Sequence, residues 1–270
     1  TLFRSANTGG ELILNSRPQT LAGLTTAGTG ASSIVNENGS ACALTINNTA
    51  NYTFGGTLGG GLANDNNFSL AKTSSGTLTL TAANTYTGTT TISGGTLALS
   101  GSGSIASSLT ITVAGGATLD VSGESSTFAL AGGQTLANSG ATIATLNGSA
   151  NTGSGKVTLA YASGTPLLQV TSGTLTLSGS TTFTVNNTGS ILPAGNYTVI
   201  QANGGTVAGT LPPVTVTGGG ASGLAALAID GSGNLILNVQ STAWTGVVDT
   251  SWLTPGNWSS GSVPNPGDPV

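Results

Sequence analysis

The chain has 270 residues, of which Gly 44, Thr 46, Ser 32 and Asn 22 make up more than half, while charged residues are 4%, aromatics 4%, and His and Met are absent. A formal charge of -4 from 4 basic and 8 acidic side chains leaves no basic stripe, so nucleic acid is not expected as a partner. Without His there is no Ser-His-Asp or Cys-His nucleophile and no His-containing metal site.

In chain order, Thr1-Leu2-Phe3-Arg4-Ser5 matches the in-frame translation of a common sequencing-adapter end, so residues 1–5 are read as foreign and residues 1–9 as a leader to the fold. No charged n-region with an apolar h-region follows. No apolar run approaches the roughly 18 to 20 residues of a membrane helix. From residue 10 to 240 a short alternating strand of Thr or Ser with Leu, Ile or Val recurs, bounded by Gly, Asn or Ser. Examples are 11–15, 43–47, 77–81, 89–93, 96–100, 108–112, 118–121, 174–178, 197–201 and 235–239. Gly, Ser, Thr and Asn are poor helix-interior residues and nothing shows a 3.6 period, so the chain is all-β. Cys42, between Ala41 and Ala43, is read as a small buried hydrophobe.

The Gly-Thr-Leu starts at Gly76 and Gly95 lie 19 residues apart, and Gly116-Ala117-Thr118-Leu119 follows, a period that marks a repeat fold. Coils of about 20 residues, stacked at roughly 4.8 Å, give about 11 or 12 coils and a rod on the order of 55 Å. Leu78, Leu80, Leu97, Leu99, Leu119, Leu175 and Leu177 point inward, and Thr, Ser and Asn form ladders outside. A charge repeated in every coil would repel its neighbour, which gives the low charged content a physical reason. The fold expected is a right-handed parallel β-helix.

After Gln240 the composition changes. Trp244, Trp252 and Trp258 are the only tryptophans, followed by Pro264, Pro266 and Pro269, in a pattern that includes Gly246, Asn257, Gly261 and Asp268. Residues 241–270 are read as a cap or inter-module linker, with Trp244 or Trp252 packed against 235–239 and with Trp244, Trp252, Asn257 and Trp258 as its structural residues. From Pro264 the chain is expected to lead into a following module, so that Val270 stops within a longer protein.

Residues 75–100, SGTLTLTAANTYTGTTTISGGTLALS, resemble the autotransporter-associated β-strand repeat of bacterial passenger domains and giant surface proteins. The segments 19–24 and 52–56 resemble the coils before this motif, those at 197–200 and 209–211 its closing coils, and the Trp-rich tail a linker between solenoids. The resemblance implies a secreted, surface-exposed right-handed β-helix.

Asp120 and Glu124 form the one close acidic pair, with Lys72 and Lys156 the only cations to be weighed as partners; the pair is read as solvated residues at a coil corner. Gly59-Gly60-Gly61 and Gly218-Gly219-Gly220 are read as turns, because no helical segment follows them. Asn-x-Ser/Thr sequons at Asn38, Asn47, Asn51, Asn67, Asn147, Asn186, Asn196 and Asn257 are as many as the composition produces. Tyr52, Tyr86 and Tyr197 are weighed as a sugar-stacking surface and read as single aromatics at corners or in the core.

The function expected is a non-catalytic structural or adhesive segment of a secreted bacterial surface protein, a rigid stalk or passenger located extracellularly or at the cell surface. The alternative is a polysaccharide lyase- or hydrolase-like β-helix. No catalytic residue, metal or cofactor is assigned. The partners expected are a following β-solenoid module of the same protein and host or matrix surface ligands.

Overall fold

The computed structural model describes residues 2–5, 9–27, 30–162, 165–241, 243–258 and 263, the first four by their backbone alone. Alternating Leu/Ile/Val and Thr/Ser produces short strands, and these stack as a parallel β-solenoid. One sheet has nine strands, all parallel, from Gln19–Leu21 through Phe68–Thr73, Thr90–Ile92 and Thr110–Ala114 to Val214–Gly218, with no register shift between any pair. A second sheet runs in parallel from Tyr52–Phe54 through Thr77–Leu80, Thr96–Gly101 and Thr118–Glu124 to Gly195–Ala202. A third face holds three strands ending at Thr57–Leu58 and four beginning at Phe128–Ala129. Between these two groups the third face carries one isolated bridge, Ala83 with Ser104. At the other end Leu2–Ser5 lie parallel to Gly23–Thr26.

The seven leucines expected inside are all buried, at 2% exposure or less. They stack like on like, Leu78 beside Leu97, Leu97 beside Leu119 and Leu119 beside Leu146. The Gly-Thr-Leu starts follow from the same stacking. A Cβ on Gly95, whose φ is +63°, would lie 2.3 Å from the carbonyl oxygen of Gly76, and one on Gly76 would lie 2.3 Å from that of Ala50. At these two starts only glycine lets the next backbone approach, whereas the following coils carry Ala117 and Ala144 at the equivalent place.

The structure corrects three expectations. Coil length is not constant: Thr77 pairs with Thr96, 19 residues on, but Thr118 with Thr145, 27 on, and Leu168 with Ile200, 32 on. Lengthening a corner costs little closure entropy, so the strands keep their size while the corners vary, and the chain makes fewer coils than the shortest spacing suggests. Next, the Thr columns are not hydrogen-bonded ladders. Thr45, Thr91, Thr112, Thr158 and Thr184 lie half-buried on the outer face of the nine-stranded sheet, and their hydroxyls have no partner among the described residues. A rung spacing of about 4.8 Å exceeds the roughly 2.8 Å of a hydroxyl hydrogen bond. Asn is long enough: Asn147 Oδ1 accepts from Thr171 and Ser172 at 3.1 and 2.7 Å.

The third correction concerns 225–239. Leu235–Val239 and Ala225–Ile229 pair antiparallel with each other, and the former pairs antiparallel with Gly195–Ala202, so parallel coils do not run to residue 240. Asp230-Gly-Ser-Gly-Asn234 is the cause. Asp230 Oδ1 accepts the Ser232 and Asn234 amides, both at 2.9 Å, and its Oδ2 accepts Asn234 Nδ2 at 2.8 Å. A turn this short can only reverse the chain, because a parallel return needs a full crossover.

Leu97→Asp should place a carboxylate in a column with no donor and lower stability by about 3 to 5 kcal/mol. Urea denaturation monitored by far-UV circular dichroism checks this, and an unchanged midpoint would contradict the inward stacking.

Candidate functional site

The repeat-like segment at 75–100 is where the third face lacks strands, and side chains hold it together instead. Asn84 is buried at the corner after Thr77–Leu80. Its Oδ1 accepts the Leu58 amide of one neighbouring coil at 2.9 Å, and its Nδ2 donates to Ala82 O at 2.8 Å and to Ser104 O of the other neighbour at 2.9 Å. One carboxamide therefore ties three coils. Tyr86 is fully buried, its ring stacked on Phe68 at 5.6 Å. Its hydroxyl meets Thr90 Oγ1 at 2.6 Å, Thr90 Oγ1 meets Ser108 Oγ at 2.9 Å, and Ser108 Oγ donates to Gly88 O at 2.8 Å. Burial raises the Tyr86 pKa, so the phenol stays protonated.

Lys72 is also inside. It stands in an interior column between Ile46 and Ile92, fully buried, and its Nζ donates to the carbonyls of Thr73, Ser74 and Gly94 at 2.7, 2.9 and 3.1 Å. Desolvation lowers its pKa to about 8. The ammonium is thus committed to a corner of the coil.

Asp120 and Glu124 lie on one strand, both half-buried. Asp120 Oδ1 accepts Ser122 N, Ser122 Oγ and Asn147 Nδ2 at 3.0, 2.7 and 3.0 Å, which makes it an inter-coil tie. Glu124 differs. Its Oε1 is buried without a hydrogen-bond partner, burial pushes its carboxyl up to about 7, and it borders two cavities of about 290 and 410 Å³ lined mainly by Ser, Thr and Gly.

The three weighed tyrosines form no common surface: Tyr86 is fully buried, and Tyr52 and Tyr197 are half-buried on different coils. Cys42 is buried, with its Sγ 3.4 Å from Asn36 Oδ1, and burial raises its pKa. Trp244, Trp252, Asn257 and Trp258 do come together. Trp244 stacks on Trp252 at 5.5 Å, and both meet Trp258 edge-on at 5.3 and 4.4 Å. Asn257, fully buried, accepts the Val248 and Asp249 amides at 2.8 and 3.0 Å and donates to Asp249 Oδ1 and Ser251 O at 2.6 and 2.9 Å. Trp258 is buried, whereas Trp244 and Trp252 remain 38% and 54% exposed, and neither is among the residues packed on the core that contains Leu235 and Val239. The indoles cover each other instead. Gly261, Pro264, Pro266, Asp268 and Pro269 lie outside the described residues.

Sequence reasoning passed over Asn84, Thr90, Ser108 and the interior place of Lys72. For Lys72 a signal existed: in Phe68-Ser-Leu-Ala-Lys72 it shares the inward parity of Phe68 and Leu70.

Asn84→Ala leaves the Leu58 amide without its acceptor, while Ser104 O keeps the backbone amide of residue 84, and should cost about 1 to 3 kcal/mol, read by urea denaturation. For Glu124 the folded pKa lies above the ordinary 4.5, so the unfolded chain ionises first as pH rises. The stability this group contributes is present below about pH 4.5 and is lost as pH rises to about 7. Glu124→Gln should therefore leave stability at pH 4 unchanged and raise the urea midpoint at pH 8; equal midpoints at pH 8 would contradict the burial.

A family model described as passenger-associated-transport-repeat matches residues 70–99, which contain Lys72, Asn84, Tyr86 and Thr90. No curated protein and no solved structure gives a match.

Proposed function

We propose that this chain, a β-solenoid that carries a passenger-associated-transport-repeat and fits an autotransporter passenger, is a non-catalytic structural segment of a secreted bacterial surface protein. In this reading it is a rigid stalk that holds adhesive surfaces away from the cell, outside it or at its surface. Its partners are a further solenoid module of the same protein and ligands on host or matrix surfaces. The observation that carries the reading is the construction of the matched segment: Asn84 and Thr90 spend their polar groups on neighbouring coils, the latter on Ser108, rather than on a shared concave site. The nine strands of the all-parallel sheet have eight gaps, so that stack is about 38 Å long at about 4.8 Å per rung.

The alternative, a polysaccharide-cleaving β-helix, draws on Glu124, whose raised pKa would suit a general acid. Its second carboxylate would have to be Asp120, which is taken by Ser122 and Asn147, and Lys72 is spent on three carbonyls. Acid and base work needs two positioned groups with separated pKa values.

Incubated with pectin, alginate or peptidoglycan, the purified chain should release neither reducing ends nor unsaturated products. Turnover that disappears in the Asp120→Asn, Glu124→Gln double variant would establish the alternative.

A further inference from the structure

The second sheet changes direction within one strand, Gly195–Ala202. Its C-terminal half pairs parallel with the coil before it, Leu168 facing Ile200 and Val170 facing Ala202. Its N-terminal half pairs antiparallel on the other side, Asn196 facing Asn238 and Thr198 facing Ile236. Pro166, just ahead of Leu168, has no N–H with which to extend the parallel ladder. A cleft of about 410 Å³ opens between Pro166 and Asn196–Thr198, lined also by Tyr161, Gln201 and Asn234.

The wall of the cleft is aromatic and fixed. Tyr161 is buried, Tyr197 is half-buried, and the rings meet edge to face at 6.2 Å and 74°. Tyr197 Oη donates to Pro193 O at 2.7 Å. Asn234 is committed too, accepting the Ala202 amide at 2.7 Å and donating to Asp230 at 2.8 Å. The remaining polar groups are not. Among the described residues the exposed Gln201 carboxamide and the Thr198 hydroxyl have no partner, and Asn196 accepts from Asn238 at 2.5 Å while its Nδ2 donates to none of them. Among the described residues no charged side chain lines the cleft.

We propose that this cleft binds a neutral sugar residue. The Tyr197 ring takes the C–H face of the sugar, while Gln201, Thr198 and Asn196 take its hydroxyls. A sugar hydroxyl is both donor and acceptor, and a carboxamide answers both; an anionic ligand would be desolvated here without a counter-charge. The lining is more polar than apolar, with Asn196, Thr198, Gln201 and Asn234 beside the two rings, which suits a hydroxyl-rich ligand better than an apolar one. The proposal goes beyond the stalk reading and does not need it.

The test is calorimetric titration of the whole chain with cellotetraose, maltotetraose, N,N′-diacetylchitobiose and, as the charged probe, tetragalacturonate. At least one neutral probe should bind saturably. Gln201→Ala with Thr198→Val should weaken it about tenfold or more, and Trp252→Ala should leave it unchanged. Tyr197→Ala should abolish binding; should that variant unfold, the Gln201 and Thr198 pair carries the test. Three results would each overturn the proposal: no saturation with any neutral probe, binding untouched by the Gln201 and Thr198 changes, or tetragalacturonate bound as tightly. None of these outcomes bears on whether the chain is a non-catalytic stalk, which is decided by turnover.

Discussion

In a stack of parallel strands every residue sits about 4.8 Å from its equivalents above and below, so a side chain is chosen against its neighbours along the rod before it is chosen against anything else. Leu97 beside Leu78 and Leu119 shows the favourable case, with apolar area buried continuously along the axis. Like charges at that spacing would repel, which agrees with a chain in which only 4% of residues are charged. The same distance separates the roles of Thr and Asn. Threonine columns are too widely spaced to hydrogen-bond along themselves and turn their hydroxyls to solvent, whereas Asn147 reaches both neighbouring coils, from Asp120 on one side to Thr171 and Ser172 on the other.

Polar residues within the interior are placed where the ladder alone does not hold a corner. Lys72 takes the position that Ile46 and Ile92 occupy in adjacent coils and ties the carbonyls of two corners. Asn138 follows Val113 in the same column, accepts the Ala160 amide at 2.8 Å and donates to the Leu167 carbonyl at 3.3 Å. Thr90 and Ser108 do the equivalent under Tyr86. Each keeps its buried polar atoms partnered, which is the condition for holding a polar group in a dry interior. The matched segment at 70–99 contains Lys72 and Thr90.

Regularity fails at the C-terminal side. The turn at Asp230–Asn234 forces an antiparallel return, the parallel and antiparallel ladders diverge along Gly195–Ala202, and a cleft with uncommitted amides results. Beyond it, three indoles and Asn257 form a small unit with its own aromatic contacts.

Alternation and glycine spacing by themselves determined the all-β class, the parallel stacking and the inward face: the parity of Leu78, Leu97 and Leu119 is a local property that no later contact reverses. The change of composition set the Trp244–Trp258 segment apart, but that its indoles cover each other rather than Leu235–Val239 was decided by the tertiary structure. Coil length, the reversal at 225–239, the burial of Glu124 and the partners of Lys72 were decided by the tertiary structure. These depend on which corner lies over which, and corners absorb insertions at small entropic cost without leaving a periodic trace. Gln201 and Tyr161 show the same limit: 40 residues separate them, and only the stacking of consecutive coils puts both on one cleft.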